Sequence, residues 1–205
     1  RLDSLEKTFE YKTGKIHLGA GIAMIDVPAN FKFLGPEQAK FVIEEVWGNP
    51  PMNEAPLGLL MPANTDATAY GSYAFVVTYS GMGYVKDEDA DKINYDDLLK
   101  DLKKGSQEEN KERTKRGIST MDLVGWASKP YYDKEKNVLH WAKEYSVPGA
   151  DVNTLNYDIR LLGRKGVLVL QAVSDMSELD SVKTHIGDVL GIVSFVDGNK
   201  YSDFN

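Results

Sequence analysis

The residues of this sequence best suited to acid–base chemistry are His140 and Glu144, which lie four positions apart in a largely apolar stretch. Residues at even spacing share one face of a β-strand, so the two side chains should lie on the same side of a sheet. A histidine with a carboxylate beside it can act as a general acid or base. The pair has no nucleophile near it, however, and the sequence favours a hydrogen-bonded structural histidine.

Metal and nucleotide sites are not expected. The acidic run at residues 87–91 places carboxylates at positions 1, 3 and 5 of a calcium loop, but Lys92 stands where that loop needs glycine and Leu98 where it needs glutamate. The run is better explained as a solvated lead-in to a helix. The three histidines show no zinc-binding spacing, and the sequence contains no glycine-rich phosphate loop. We therefore expect neither a metal nor a cofactor.

Aromatic side chains are a more prominent feature than catalytic candidates. Trp126 and Trp141 are predicted on adjacent strands, where their rings can pair. Filling the core between sheet and helices is the more ordinary role of such rings. If they also build a binding surface, we expect it at Trp126, Tyr131, Tyr132 and Arg160.

The composition is that of a soluble globular protein, with 42% hydrophobic and 27% charged residues in a chain of 205. Such a chain is expected to form one domain, residues 1–205, that buries roughly 70% of its unfolded surface. Its net charge of −7 argues against nucleic-acid binding, which requires a clustered basic face. Because the chain has no cysteine, it can form neither disulfides nor thiolate metal sites.

Antiparallel strands are predicted to position these residues. Within residues 122–173 apolar and polar side chains alternate, and glycines bound the four-residue link at 163–166, as in a β-hairpin. The strand at 167–173 is apolar on both faces except at Gln171, so it should lie in the middle of the sheet. Further strands are predicted at residues 16–18, 22–27, 31–34, 57–61 and 73–79.

Two amphipathic helices should pack on this sheet. The first begins at Pro36 and is capped by Gly48, and the second begins at Ser177. Residues 1–15 are polar and should be loosely held or disordered. The predicted fold class is α+β, with a mostly antiparallel β-sheet packed by these two helices.

Residues 86–117 are the most polar part of the chain and predict a peripheral helical lobe. Asn94, with Asp97 three residues later, is typical of a helix N-cap. A second helical segment after Gly105 has no apolar stripe, so it should be solvated or mobile.

Seven blocks of sequence between about residues 35 and 204 carry a resemblance to a known family. They are WGNPP (47–51), LGLLMP (57–62), GYVKD (83–87), INYDDLL (93–99), VGW with PYYD (124–133), LHWAKEY (139–145) and LNYDIRLLGRKGVLVLQAV (155–173). In order and wording they resemble a bacterial family of predicted membrane-anchored proteins, the domain of unknown function 2167. The family has no assigned activity, so no catalytic residue can be carried over.

The resemblance implies a location. Family members typically carry an N-terminal export signal and hydrophobic C-terminal segments, whereas this chain opens at Arg1 and shows neither. We therefore expect a processed form or an excised domain. A looser likeness in architecture, the segment IDVPANF (25–31) followed by a helix, long strands and a closing helix, suggests the PsbP-type α/β/α sandwich.

Taken together, the sequence predicts a non-catalytic binding module at the bacterial cell envelope, anchored through segments absent from this chain and facing out of the cytoplasm. Its partner would be a protein or a small ligand. The alternatives are an envelope hydrolase or transferase that uses His140, Glu144 and other carboxylates, and a structural subunit that assembles with itself. An enzyme should bring His140 and Glu144 together in a closed cleft, whereas a binding module should keep them apart.

Overall fold

The computed structural model describes residues 1–69 and 73–205. Within these ranges the helices are α1 (Leu2–Glu6), α2 (Pro36–Phe41, continued by a π-helical turn at Val42–Val46), α3 (Asp87–Asp91), α4 (Tyr95–Lys115) and α5 (Leu179–Ile192). The strands are β1 (Gly14–Leu18), β2 (Ala23–Val27), β3 (Phe31–Leu34), β4 (Gly58–Pro62), β5 (Phe75–Ser80), β6 (Asp122–Asp133), β7 (Val138–Ser146), β8 (Thr154–Leu162), β9 (Val167–Asp175) and β10 (Val193–Phe195). None of the described helices has the length and apolar character that a membrane span requires.

The strands build two antiparallel sheets rather than one. Seven strands form a long sheet in the order β3-β4-β5-β9-β8-β7-β6, and three form a small sheet in the order β1-β2-β10. β9 is the fourth of the seven strands, so the apolar strand that the sequence placed in the middle of the sheet does lie there. The link at residues 163–166 joins the paired strands β8 and β9. The α+β class with mostly antiparallel strands is confirmed.

The long sheet has two faces with different coverings. Its first face carries Leu60 and Ile159, which form the main core with the small sheet and the buried side of α5. Its second face is covered in two places. At one end α2 packs over Leu59, and at the other α3 and the first turns of α4 pack over Trp141. Because side chains alternate along a strand, β4 alone contributes Leu60 to one core and Leu59 to another.

Helix α2 follows the predicted pattern. Pro36 occupies its first turn, where the missing N–H costs nothing, and Gly48 ends the segment with a φ of 71°. Its apolar residues pack on β4 and not on the strands at 122–173. The last helix starts later than Ser177, because a 3-10 turn at Met176–Glu178 precedes Leu179.

The lobe after β5 differs from the prediction in one respect. Asn94 caps α4 as expected, since its Oδ1 accepts hydrogen bonds from the N–H groups of Asp96 and Asp97. The helix then continues through Gly105 without a break, so the predicted second segment belongs to the same helix. Ser106 is the buried residue of α4, and Asn110 bonds to Met121 just before β6.

The N-terminal segment, expected to be loosely held, contains α1 and an extended part. Phe9 is buried against the α2 cluster, and Lys12 exchanges two backbone hydrogen bonds with Phe33 on the edge strand β3. These contacts cover that edge of the long sheet, which limits its pairing with other chains.

Candidate functional site

The second face of the long sheet carries a row of side chains across four neighbouring strands. Val76 of β5 pairs with Gln171 of β9, Gln171 with Asp158 of β8, and Asp158 with Trp141 of β7. Directly paired residues of antiparallel strands project to the same face, so these side chains adjoin one another. Asp158 is the buried charge of the row, with 2% of its surface exposed.

Both carboxylate oxygens of Asp158 accept hydrogen bonds. The Trp141 indole Nε1 donates to Oδ2 over 2.8 Å, and Gln171 Nε2 donates to Oδ1 over 2.9 Å. The ammonium group of Lys143 lies 3.6 Å from Oδ2. A carboxylate can be buried when it is both paired and hydrogen-bonded, and Asp158 meets both conditions.

Lys143 is buried next to Asp158 and keeps its charge. Burial by itself lowers the pKa of this lysine, but the negative charge of Asp158, with a smaller contribution from Tyr145, outweighs burial and raises the pKa. The ammonium group is therefore engaged in balancing the carboxylate.

Arg160 is the second cation on this face, and its surroundings are different. Its guanidinium carbon lies 4.8 Å from the centre of the Trp141 ring, a cation–π contact. Its Nε atom is buried without a hydrogen-bond partner, and within the described ranges Arg160 forms no ion pair. The guanidinium group is therefore held by an aromatic ring, and no ion pair within the described ranges neutralises its charge.

Trp126 approaches the same tryptophan from the edge strand β6. Its ring centre lies 6.5 Å from that of Trp141 at an angle of 48°, and the edge-to-face contact with Tyr95 of α4 covers it from above. The indole Nε1 of Trp126 is buried and has no hydrogen-bond partner. Trp126 and Arg160 therefore both lie against Trp141, and each has an unpaired N–H donor.

Tyr132 also lies on the second face, where its hydroxyl connects the sheet to α3 through a hydrogen bond. Its hydroxyl donates to the carboxylate of Asp87 at the start of α3, and Asn137 Nδ2 donates to the same hydroxyl over 3.1 Å. Burial, together with the hydrogen bond to Asp87, raises the pKa of Tyr132 to about 12. Asn137 itself occupies the left-handed region with a φ of 56°.

Tyr131 is separated from the other predicted binding residues. It lies on the opposite face of β6, where its ring stacks on His140 with centres 4.4 Å apart, and half of its surface is exposed. The physical reason is the alternation of the strand, which sends consecutive residues to opposite faces. The structure thus brings Trp126, Tyr132 and Arg160 to one face and Tyr131 to the other.

His140 and Glu144 are not brought together. The His140 ring is buried between Tyr131 and Tyr157, and its Nδ1 has no hydrogen-bond partner. Burial lowers its pKa to about 4, so the ring is neutral at pH 7. Glu144 instead accepts a hydrogen bond from Asn153 over 2.6 Å. Among the described residues, no group of three or more potential metal ligands is found.

Sequence reasoning missed the centre of this site. Asp158, Lys143 and Gln171 were placed on strands, but their mutual contacts were not predicted. The sequence does contain a signal for this centre. In β8 the charged residue Asp158 alternates with four apolar residues that the structure buries on the other face. A cleft of about 330 Å³ lined by Lys136, Leu190 and Phe195 lies outside this group.

Several solved structures follow a similar chain path. A cyanobacterial PsbP protein (CyanoP) from Synechocystis sp. PCC 6803 is 11% identical, with 89% of this chain and 91% of that chain covered and a TM-score of 0.47. The Saccharomyces cerevisiae Ran-binding protein Mog1p is 11% identical, with 97% and 100% covered and a TM-score of 0.44. LpqN of Mycobacterium tuberculosis, involved in cell envelope biogenesis, is 12% identical, with 95% and 96% covered and a TM-score of 0.44. At this level the likeness does not extend to ligands or partners.

Sequence comparison identifies the family. No curated protein matches the chain. The family described as "Protein of unknown function (DUF2167)" matches residues 10–205, which include every residue of the polar row as well as Trp126 and Arg160. The chain therefore belongs to the DUF2167 family.

Proposed function

We propose that this domain is a non-catalytic binding module, and that its ligand or partner contacts the second face of the long sheet around Trp126, Trp141 and Arg160. One observation carries the proposal. Within the described ranges, five buried side-chain atoms have no hydrogen-bond partner, and three of them lie on this face: Trp126 Nε1, Asn156 Oδ1 and Arg160 Nε. A buried polar group without a partner costs about 1–3 kcal/mol, so a ligand that supplies partners would gain binding free energy here.

The positions of the catalytic candidates favour binding over catalysis. A general acid or base needs its partner within hydrogen-bonding reach. His140 lies under an aromatic ring on the first face, and the contact of Glu144 is with Asn153. On the second face, Asp158 is instead engaged with Lys143 and Trp141.

We further propose that the domain acts outside the cytoplasm and is held at a bacterial membrane by segments of the full-length protein. The support is the family resemblance, whose members typically carry export and membrane segments. The partner would then be a protein or small ligand of the cell envelope, and the net charge of −7 disfavours nucleic acid. Reporter enzymes fused to the intact protein, active only on one side of the membrane, test the location directly.

The binding role is tested by affinity capture from envelope extracts of the producing bacterium. Trp126→Ala and Arg160→Ala should each remove the component that the wild-type domain retains. Phe41→Ala is the matched control, since Phe41 is an exposed aromatic residue on α2, which packs at the opposite end of the long sheet. It should retain the component.

Two results would contradict the proposal. If wild type, Trp126→Ala and Arg160→Ala all recover the same components, the second face is not the binding surface. Dependence of a chemical turnover of that component on His140 would favour the enzyme alternative.

A further inference from the structure

The hydrogen-bonding groups of the second face divide into satisfied and unsatisfied sets. Asp158 is fully satisfied by Trp141, Gln171 and Lys143. Its negative charge is matched by the positive charge of Lys143, which lies 3.6 Å away. Arg160 remains as a cation without a counter-charge among the described residues.

The unsatisfied groups next to Trp141 are both donors. They are the Nε–H of Arg160 and the Nε1–H of Trp126, and both are buried. An arginine has no acceptor, and an indole nitrogen only donates. A partner of Arg160 must therefore present acceptor atoms, and negative charge on that partner would compensate the guanidinium.

The shape and charge of the site narrow the class of anion. The guanidinium is planar and matches a planar carboxylate through two parallel hydrogen bonds. One uncompensated cation balances one negative charge, whereas a phosphate monoester carries about 1.5 to 2 at pH 7. The carboxylate of Asp87, which bonds Tyr132 on the same face, disfavours a dianion further.

We propose that the second face receives a carboxylate group of its ligand at Arg160, beside the ring of Trp141. This inference rests on the proposed function, because it names the chemistry of the same surface. Arg160 binds the carboxylate, and Trp141 holds the guanidinium flat. Asp158 and Lys143 do not touch the ligand but fix the position of Trp141.

The experiment uses propionate as the probe, with neutral propionamide, inorganic phosphate and chloride compared at matched ionic strength. Trp47→Phe removes the tryptophan that lies in the α2 cluster, so the remaining fluorescence comes from Trp126 and Trp141. Propionate should change this fluorescence and raise the melting temperature in a saturable manner, as a ligand of the folded state does. Propionamide should do neither.

Variants identify the residue. Arg160→Met, which keeps the length and apolar contact of the side chain, should weaken propionate binding by more than about tenfold, whereas Arg160→Lys should weaken it less because one charged donor remains. Lys165→Met is the control. It removes the same charge from an exposed position in the β8–β9 turn and should leave binding unchanged.

Arg160→Met should still fold, because it removes a buried donor that has no partner. Equal binding of phosphate or chloride, unchanged binding in Arg160→Met, or no response to propionate at tens of millimolar would each overturn the inference. A domain that ignores propionate but loses its envelope partner with Trp126→Ala would retain the proposed function and lose only the carboxylate. A domain that ignores propionate and keeps its envelope partner in both Trp126→Ala and Arg160→Ala would lose the proposed function as well.

Discussion

At the scale of single residues, Asp158 holds together the polar side chains of the second face. It accepts hydrogen bonds from two side chains on the neighbouring strands β7 and β9 and faces the charge of Lys143. A buried ion pair of this kind adds little compared with apolar residues of the same size, but it is costly to break.

We therefore expect Asp158→Asn to destabilise the protein by about 3–5 kcal/mol. The asparagine keeps the shape, but its amide group can accept from only one of the two donors and leaves Lys143 buried without a counter-charge. Urea denaturation at pH 7 measures the loss. Lys111→Ala, which breaks an exposed pair with Glu108, should change stability by no more than about 1 kcal/mol. Equal effects of the two variants would show that Asp158 is not a structural centre.

His140 gives the protein a pH dependence of known sign. Its pKa is lowered to about 4 in the folded state by burial, against an ordinary value of 6.5. Between these values the unfolded chain binds a proton that the folded protein does not. The stabilisation is therefore complete above pH 6.5 and is lost as the pH falls towards 4, by roughly 3 kcal/mol in all.

His140→Phe should remove this part of the pH dependence. The phenyl ring can stack on Tyr131 in place of the imidazole and has no nitrogen to protonate or to leave unpaired. The measurement is the free energy of unfolding of both proteins at pH 7 and pH 4.5. If the difference between them is the same at both values, His140 is not buried in neutral form.

At the scale of elements, α4 depends on its cap more than on its packing. Of its 21 residues, Ser106 alone among the described ones is buried. The Asn94 side chain accepts hydrogen bonds from two backbone N–H groups, each over 3.1 Å. The acidic residues Asp96 and Asp97 follow in the first turn, where the helix dipole favours negative charge.

Asn94→Ala should destabilise α4 by about 1 kcal/mol, and Gly105→Ala should stabilise it by up to about 1 kcal/mol. The second effect is expected because a methyl group at Gly105 would meet no atom within 4 Å. Hydrogen exchange of the α4 amide groups measures both changes. Gly58→Ala is the contrasting control, since its methyl group would lie 2.1 Å from the Phe33 ring and should destabilise the long sheet.

At the scale of the whole molecule, three apolar clusters share one sheet. Leu60 belongs to the main core, and its neighbours Leu59 and Met61 belong to the α2 cluster on the other face. In the same way β8 gives Ile159 to the main core and Leu162 to the cluster under α3. Loss of a strand would therefore disrupt clusters on both faces at once.

We expect the α2 cluster and the cluster under α3 to unfold together. The indole N–H groups of Trp47, bonded to Ala67, and Trp141, bonded to Asp158, report on the two clusters in one sample. Their NMR signals should disappear at the same urea concentration, as in a two-state transition. Earlier loss of the Trp47 signal would show that α2 and its strands form a separate unit; Trp47→Phe assigns that signal.

Much of the architecture was predictable because local patterns specify it. Alternation gave the strands of residues 122–173, the glycines gave the turn at 163–166, and Asn94 gave the start of α4. Trp126, Tyr132 and Arg160 were predicted as binding residues from their residue types alone. Tyr131 was grouped with them for its aromatic ring, although alternation along the strand places it on the opposite face from Tyr132.

By itself, the sequence determined which side chains of a strand lie together, since a period of two is a property of the extended backbone. Only the tertiary structure decided which face is covered and by what. The small sheet takes β10 from beyond the last helix, and α3 packs over Trp141 from a segment about 50 residues earlier in the chain. Such long-range pairings depend on how all the apolar surfaces fit together. Carboxylates are mostly exposed in proteins, and only the tertiary structure shows that Asp158 is buried.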